Sequence, residues 1–198
     1  NPKAVIVDLE LLNSIPTPLL QDSCGELIKY GVLSGHGLFN KSSLARNPSQ
    51  VIDAAYRKEL IQACIEIKKS IVEADFKEAG LRKLLNLGHT LGHAIETLSS
   101  FELGHGSCVA VGTVMMAKAC AKFGLCSYED AESITELTQS YALPTSTLFD
   151  AEELYNATLH DKKSHTDSID VTLIYGIGDI RIERKSFAEI KQLIKLAK

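Results

Sequence analysis

The sequence predicts a mainly α-helical protein, a helical bundle with a small β-hairpin near its C-terminal end. Apolar residues recur at helical spacing through most of the chain. The segment 107–123 is apolar on almost every side, which is typical of a helix buried at the centre of a bundle. Apolar and polar residues alternate only in 169–175 and 180–184, on either side of the turn 176–179, and this pattern predicts the hairpin.

Turn and capping residues bound the predicted helices. Pro16 and Pro18 mark a turn before the first helix, and Ser49 is the predicted N-cap of the second. Gly104-His105-Gly106 is predicted to be a flexible link, and residues 161–165 are predicted to form a polar loop. The predicted helices span residues 19–33, 51–74, 81–99, 107–123, 127–141 and 150–160, with a last helix capped by Ser186.

The first residues of the chain predict a β-strand, because 4–8 is a short apolar run that ends in an acid. No sequence before it supplies a partner strand, so we expect its sheet to be built mainly by residues upstream. The chain starts at Asn1 without an initiator methionine. We therefore expect it to be part of a longer protein.

Charge and cysteine content narrow the classes of partner. The net charge of −4 gives no electrostatic reason to expect nucleic acid or an anionic membrane. The five cysteines form no Cys-x-x-Cys pair, which favours buried thiols in a reducing compartment over a disulfide framework. The most apolar run, 108–117, is too short to span a bilayer, and we find no signal peptide. We expect a cytoplasmic protein without nucleic-acid or membrane partners.

Residues 84–96 carry the strongest chemical signal in the sequence. His89 and His93 are four residues apart, and on a helix such a pair points the same way. Gly88 and Gly92 each cost a helix roughly 1 kcal/mol relative to alanine, which indicates that another helix or a ligand approaches the backbone closely. Taken alone, the segment is consistent with two core histidines on a tightly packed helix, or with a metal or catalytic site.

Polar residues in otherwise apolar helices point to an open metal site. One carboxylate with two or three imidazoles is the ligand set of a catalytic Zn²⁺ site, and it also suits Co²⁺ or Fe²⁺. Nearby cations would suit a phosphate or a carboxylate, although each lysine alone is more often a solvated surface residue. The polar residues are Glu26, Lys29, Lys68, Arg82, Asn86, His89, His93 and His105.

These residues carry a family resemblance. The run Asn86-Leu-Gly-His-Thr-Leu-Gly-His-Ala-Ile-Glu96 resembles the signature of 3-dehydroquinate synthase and its relatives, the sugar-phosphate cyclases. Glu26-Leu-Ile-Lys-Tyr-Gly31 resembles an earlier motif of the family. Further resemblances in family order are Pro2-Lys-Ala-Val-Ile-Val-Asp8, Glu78-Ala-Gly-Leu-Arg82, His105-Gly106 with Val109-Ala-Val-Gly112, Leu143-Pro144 and Asp161-Lys-Lys163.

The resemblance covers essentially the whole chain, but only the C-terminal, helical half of the family. It implies that residues 1–15 are the end of the missing N-terminal nucleotide-binding domain, or the junction to it. Residues 16–198 would then be the helical metal- and substrate-binding domain. The chain alone contains no Gly-rich strand–loop–helix unit for NAD, so we expect it to be inactive by itself.

The resemblance implies metal ligands that differ from those suggested by spacing. Spacing favours a chelate of His89 and His93, whereas the family pattern gives Glu26, His89 and His105 as the ligands. His93 would instead face the substrate, contact its phosphate region and assist proton movement.

The remaining site residues are also implied by the resemblance alone. Lys68 and Arg82 would hold the substrate carboxylate, and Glu78 would orient Arg82. Lys29 would reach a substrate hydroxyl. The implied phosphate contacts are Asn86 and one lysine of the pair Lys162 and Lys163.

The family's reaction uses NAD and a divalent metal, zinc or cobalt. The resemblance implies conversion of 3-deoxy-D-arabino-heptulosonate 7-phosphate to 3-dehydroquinate and phosphate in the shikimate pathway of aromatic amino acid biosynthesis. NAD transiently oxidises a substrate hydroxyl, which acidifies the adjacent C–H so that phosphate can leave. The metal polarises oxygen atoms while fixed cations hold the anionic substrate. We expect NAD to be bound mainly by the missing domain, and the full-length enzyme to be a homodimer.

Three positions depart from the family pattern. Ser107 stands where glutamate is common, Gly25 where alanine is common, and Thr113 where methionine is frequent. The serine removes a carboxylate of the kind that tunes neighbouring metal ligands. The alternatives left open are a related sugar-phosphate cyclase, a metal-dependent polyol dehydrogenase and a non-catalytic helical module.

Overall fold

The chain folds into a bundle of helices with one β-hairpin, as the sequence predicts. A computed structural model describes residues 3–35, 37–40, 54–161 and 167–198. Its α-helices are α1 (Thr17–Ser34), α2 (Ala54–Ala74), α3 (His89–Leu98), α4 (His105–Lys122), α5 (Tyr128–Ser140), α6 (Ala151–Asp161) and α7 (Phe187–Ala197). The strands are β1 (Ser168–Gly176) and β2 (Asp179–Ser186), and 3₁₀ helices span Leu9–Ser14 and Leu81–Asn86.

Helix α4 is the centre of the bundle. Its residues from Gly106 to Ala117 are all buried, and helices α1, α3, α5 and α7 pack against it. Strand β1 also contacts α4, and its apolar residues are buried in the same core. This confirms the prediction that the segment apolar on every side is the central helix. Among the described residues, no helix is long and apolar enough to cross a membrane.

The hairpin and the helix caps follow the sequence closely. Strands β1 and β2 pair antiparallel, with Ile174 opposite Ile180 beside the turn. Ser186 and Glu189 form a reciprocal capping box at the start of α7. Asp150 accepts the backbone N–H groups that open α6.

Helices α1 and α4 cross in backbone contact, and two glycines make this possible. A Cβ atom on Gly25 would lie 1.9 Å from the carbonyl oxygen of Gly106. A Cβ atom on Gly106 would lie 1.8 Å from the carbonyl oxygen of Asp22. Because backbone atoms cannot move aside as a flexible side chain can, any larger residue would force the two helices apart.

Replacing Gly106 by alanine is therefore expected to destabilise the fold. Forced overpacking of this kind costs about 1–3 kcal/mol or more in the free energy of unfolding. Gly37→Ala is the matched control, since nothing lies within 4 Å of a Cβ placed there. Urea denaturation of both variants measures the difference. Equal stability of the two variants would show that the α1–α4 crossing is looser than described.

Two predicted helix boundaries near the histidines were wrong. The predicted helix 81–99 is broken at Gly88, whose φ of 76° is left-handed and separates a 3₁₀ helix from α3. The predicted flexible link is also wrong, because α4 begins at His105 with Gly104 as its N-cap. As a result, His89 and His105 are each the first residue of a helix.

The N-terminal prediction was wrong as well. Residues 4–8 form no strand, and Val5 and Ile6 are exposed. They do not pair with the hairpin, whose sheet has only two strands among the described residues, and the expectation that their sheet is built mainly by upstream residues stays a prediction. Helix α1 begins at Thr17, earlier than predicted, since a proline in the first helical turn needs no backbone hydrogen bond. The predicted N-cap Ser49 lies outside the described residues.

Candidate metal and substrate site

Three helices bring Glu26, His89 and His105 together from distant parts of the sequence. The Nε2 atom of His89 lies 3.4 Å from Glu26 Oε1, and the Nε2 atom of His105 lies 3.5 Å from the same oxygen. The potential ligand atoms of all three residues lie within 4.8 Å of one another. The structure therefore places the three predicted metal ligands in one group.

The donor set and its spacing fit a divalent metal. Glu26 Oε1 is buried and has no hydrogen-bond partner among the described residues, which is unfavourable for a carboxylate oxygen unless a cation binds it. Ligands about 2.0–2.1 Å from a tetrahedral Zn²⁺ lie about 3.4 Å from each other. The separations of 3.4 and 3.5 Å match that value.

Each histidine is held so that Nε2 faces the carboxylate of Glu26. Nδ1 of His89 lies 3.0 Å from the carbonyl oxygen of Leu87, which can only accept, so Nδ1 carries the hydrogen. Nδ1 of His105 lies 3.4 Å from a carboxylate oxygen of Glu96. Burial, and then the charge of Lys29, lower the pKa of His89, which keeps its imidazole neutral and able to bind a metal.

Lys29 anchors the other oxygen of Glu26. Its Nζ lies 2.6 Å from Glu26 Oε2 and donates to the carbonyl oxygen of Leu85 at 3.0 Å. Burial lowers the pKa of this lysine, and the neighbouring carboxylate opposes that shift. Lys29 was predicted to reach a substrate hydroxyl; the structure shows it beside the cavity but bonded to the protein.

A second group of potential ligands consists of His93, Glu96 and His105. It shares His105 with the first group. The ring centroid of His93 lies 5.3 Å from that of His89 and 6.0 Å from that of His105. We favour the first group because it alone contains a buried oxygen without a partner, and we interpret Glu96 as the carboxylate that orients His105.

One side of the first group opens into a cavity of about 380 Å³. Lys68 and Arg82 line it, and their binding of a substrate carboxylate stays a prediction. Glu78 Oε2 lies 4.0 Å from Arg82 Nε, and its orienting of the guanidinium also stays a prediction. Asn86 also lines this cavity, together with His89 and His105.

A second cavity of about 310 Å³ lies on the His93 side. His93 and Asn86, the predicted phosphate contacts, line it together with Lys83 and Asp170. Asn86, Glu78 and His89 line both cavities, so the candidate metal ligand His89 borders each of them. The predicted phosphate-binding lysines Lys162 and Lys163 lie outside the described residues.

Sequence reasoning missed Lys83 and Asp170. Lys83 Nζ lies 2.6 Å from Asp170 Oδ2, and Arg184 pairs with the other carboxylate oxygen at 3.2 Å. Thr172 on the same strand donates to the carbonyl oxygen of Lys83 at 3.1 Å. These contacts join the 3₁₀ helix to the hairpin across a long stretch of sequence, so no local pattern signals them.

A family model for the C-terminal region of 3-dehydroquinate synthase matches residues 23–164. The chain belongs to this family. The matched span contains the three candidate metal ligands and His93.

Several 3-dehydroquinate synthases are similar to the chain. The chain is 37% identical over 185 residues to the 3-dehydroquinate synthase of Geobacter metallireducens, which covers 92% of the chain and 51% of that relative. It is 33% identical over 201 residues to that of Clostridium acetobutylicum, covering 98% of the chain and 55% of the relative. The chain thus spans about half the length of the 3-dehydroquinate synthases that it matches.

Solved structures share the fold of this 3-dehydroquinate synthase family member. A 2-deoxy-scyllo-inosose synthase complexed with carbaglucose-6-phosphate, NAD⁺ and Co²⁺ matches with a TM-score of 0.79 and 22% identity, over 93% of the chain and 54% of that structure. A 2-epi-5-epi-valiolone synthase from Streptomyces hygroscopicus, with NAD⁺ and Zn²⁺ bound, matches with a TM-score of 0.81 and 18% identity, over 96% and 54%. At these identities the likeness shows the fold.

Proposed function

We propose that the chain is the metal- and substrate-binding half of a 3-dehydroquinate synthase. The full-length enzyme would convert 3-deoxy-D-arabino-heptulosonate 7-phosphate to 3-dehydroquinate and phosphate in the shikimate pathway. One observation carries the proposal: the candidate metal group borders a cavity lined by Lys68 and Arg82, and His89 of the same group also lines a second cavity with His93.

The two cavities suit the two charged ends of this substrate. Lys68 and Arg82 line the cavity in which the carboxylate would bind. His93 lines the other cavity, where the phosphate would bind, together with Lys83 and its ion-pair partner Asp170. A substrate with an anionic group at each end would then present its central hydroxyls to the metal ligands.

Each residue's part in the reaction follows from its position. Glu26, His89 and His105 would hold a Zn²⁺ or Co²⁺ ion, which when bound acts as a Lewis acid toward substrate oxygen. Lys29 keeps the Glu26 carboxylate in place through its 2.6 Å contact. His93 would move a proton on the phosphate side.

The proposal also covers parts of the protein that the chain does not contain. NAD would be bound mainly by an N-terminal domain, for which residues 1–15 are the end or the junction, and the helical domain would start at residue 16. Relatives about twice as long as the chain support this division. The full-length enzyme would be a cytoplasmic homodimer.

A related sugar-phosphate cyclase is the main alternative. The 2-deoxy-scyllo-inosose synthase structure contains carbaglucose-6-phosphate, a compound with a phosphate group and no carboxylate. Lys68 and Arg82 favour a carboxylate-bearing substrate over such a compound, and also over the simple alcohols of a polyol dehydrogenase. A non-catalytic module has no need for a cavity lined by Lys68 and Arg82 beside the metal group.

The test is a substrate panel with the full-length protein, NAD and Co²⁺. Phosphate release from 3-deoxy-D-arabino-heptulosonate 7-phosphate is expected, and glucose 6-phosphate is expected to give none. Release from glucose 6-phosphate alone would assign a different cyclase reaction. Inactivity toward both, with the metal bound, would favour the dehydrogenase or the non-catalytic module.

Lys68→Ala is expected to weaken binding of the carboxylate-bearing substrate. Loss of a hydrogen bond to a charged group costs about 1.5–3 kcal/mol, which corresponds to a KM raised roughly 10- to 100-fold. Lys69→Ala is the matched control, because Lys69 is exposed, pairs only loosely with Glu73 at 3.9 Å and lines neither cavity. Steady-state kinetics of both variants make the comparison. A similar KM for both would remove Lys68 from the substrate site.

A further inference from the structure

Asp22 joins the two helices that carry Glu26 and His105. It lies on α1 one turn before Glu26, and its carboxylate caps the first turn of α4. The backbone N–H of Gly106 donates to Asp22 Oδ2 at 3.1 Å, and that of Ser107 donates to Oδ1 at 2.8 Å. The Ser107 hydroxyl also donates to Oδ1, at 2.7 Å.

The packing around Asp22 leaves little room for adjustment. Both chain neighbours of His105 are glycines that lie against Asp22. A Cβ atom on Gly104 would lie 2.3 Å from Asp22 Oδ1, and one on Gly106 would lie 1.8 Å from the Asp22 carbonyl oxygen. Asp22 therefore contacts the backbone of α4 on both sides of His105, and the close approach of Gly25 to Gly106 holds the same crossing.

The charge of Asp22 suits this place. The N-terminal turn of a helix has unpaired N–H groups and a partial positive charge, so a carboxylate there is favourable. The family resemblance leads one to expect a glutamate at 107, and the chain has serine instead. The structure shows that a carboxylate still bonds to this turn, but it comes from α1 and the serine hydroxyl donates to it.

We propose that Asp22 is a positioning residue for the metal site. By holding the first turn of α4 to α1, it sets the separation of Glu26 Oε1 from His105 Nε2 at the 3.5 Å that a shared ion requires. Asp22 belongs to neither group of potential metal ligands among the described residues. The inference rests on the metal site of the proposed function and adds a residue that neither spacing nor the family motifs indicate.

The experiment compares the cap of α4, the helix that carries His105, with the cap of α6, which carries no candidate metal ligand. Asp22→Ala removes the cap of α4, and Asp150→Ala removes the cap of α6, where one carboxylate oxygen accepts two N–H bonds of 2.8 Å. Asp150 lines neither cavity, so it is the matched control for a purely structural role. Co²⁺ affinity, from titration against a competing chelator, and the apo-protein Tm are measured for both.

Both substitutions are expected to lower the Tm of the apo-protein. Only Asp22→Ala is expected to weaken Co²⁺ binding, by about 10- to 100-fold, which is the range found when residues that support metal ligands are lost. Equal Co²⁺ affinity in the two variants would overturn the inference while leaving the metal site intact. A wild-type protein that binds neither Co²⁺ nor Zn²⁺ would instead overturn the proposed function, and the inference with it.

Milder variants keep the test decisive if Asp22→Ala does not fold. Asp22→Asn retains one acceptor oxygen but loses the charge, and Ser107→Ala removes one of the three hydrogen bonds. Both are expected to weaken Co²⁺ binding by less than Asp22→Ala. Wild-type affinity in both of these variants would contradict the positioning role.

Discussion

His105→Ala is expected to lose its bound metal. The substitution leaves Glu26 and His89 as the only ligands of the group, and two ligands make a weak site for Zn²⁺ or Co²⁺. Removal of supporting residues around metal ligands already costs 10- to 100-fold, so loss of a ligand should weaken binding by more than about 100-fold. Elemental analysis and Co²⁺ titration of the purified variant measure the loss.

The Tm of the apo-protein should show whether His105→Ala loses metal because a ligand is missing or because the protein misfolds. The His105 side chain is 45% exposed and contributes little to the core, so the apo-protein Tm should change little. Turnover by the full-length protein should fall together with metal content. A His105→Ala protein that retains stoichiometric metal at wild-type affinity would remove His105 from the ligand set.

His93→Ala is expected to retain the metal and lose turnover. His93 lies one turn beyond His89 on α3, which places its Cα about 6 Å further along the helix axis. Its side chain lines the cavity with Asn86 and Lys83, where the phosphate would bind. A general acid or base contributes about 10²- to 10⁴-fold to rate, so kcat of the full-length variant should fall within that range.

The same variant distinguishes the two ligand groups of the structure. If His93, Glu96 and His105 held the ion, His93→Ala would lose metal as His105→Ala does. If Glu26, His89 and His105 hold it, metal content is unchanged and only kcat falls. Loss of metal and turnover together would move the ion to the second group and return His93 to the role of a chelating ligand.

Much of the fold is predictable from periodicity, because most helices here are amphipathic or fully buried, and α5, α6 and α7 begin at the side-chain caps Ser127, Asp150 and Ser186. The errors occur where backbone geometry is set by contacts between distant elements. Gly88 has a left-handed backbone conformation where α3 packs against α4. Helix α4 begins at His105, and the Asp22 carboxylate caps its first turn. The apolar run 4–8 predicts a strand, but a strand is stable only when it pairs with other strands.

The site was less accessible to sequence reasoning than the fold. Spacing alone favours His89 with His93, and the family resemblance is needed to choose Glu26 and His105 from the other polar residues as the further ligands. Asp22 and Lys83 act through partners 85 and 87 residues away, so no local pattern marks them. Glu96 lies inside the signature run, yet its contact with His105 depends on how α3 and α4 cross.

Anomalous diffraction from crystals of the protein grown with Co²⁺ tests the central claim most directly. One strong peak is expected at the cobalt edge, about 2.0–2.2 Å from Glu26 Oε1 and from Nε2 of both His89 and His105. A peak held by His93 and Glu96, or no peak from protein that binds Co²⁺ in solution, would contradict it.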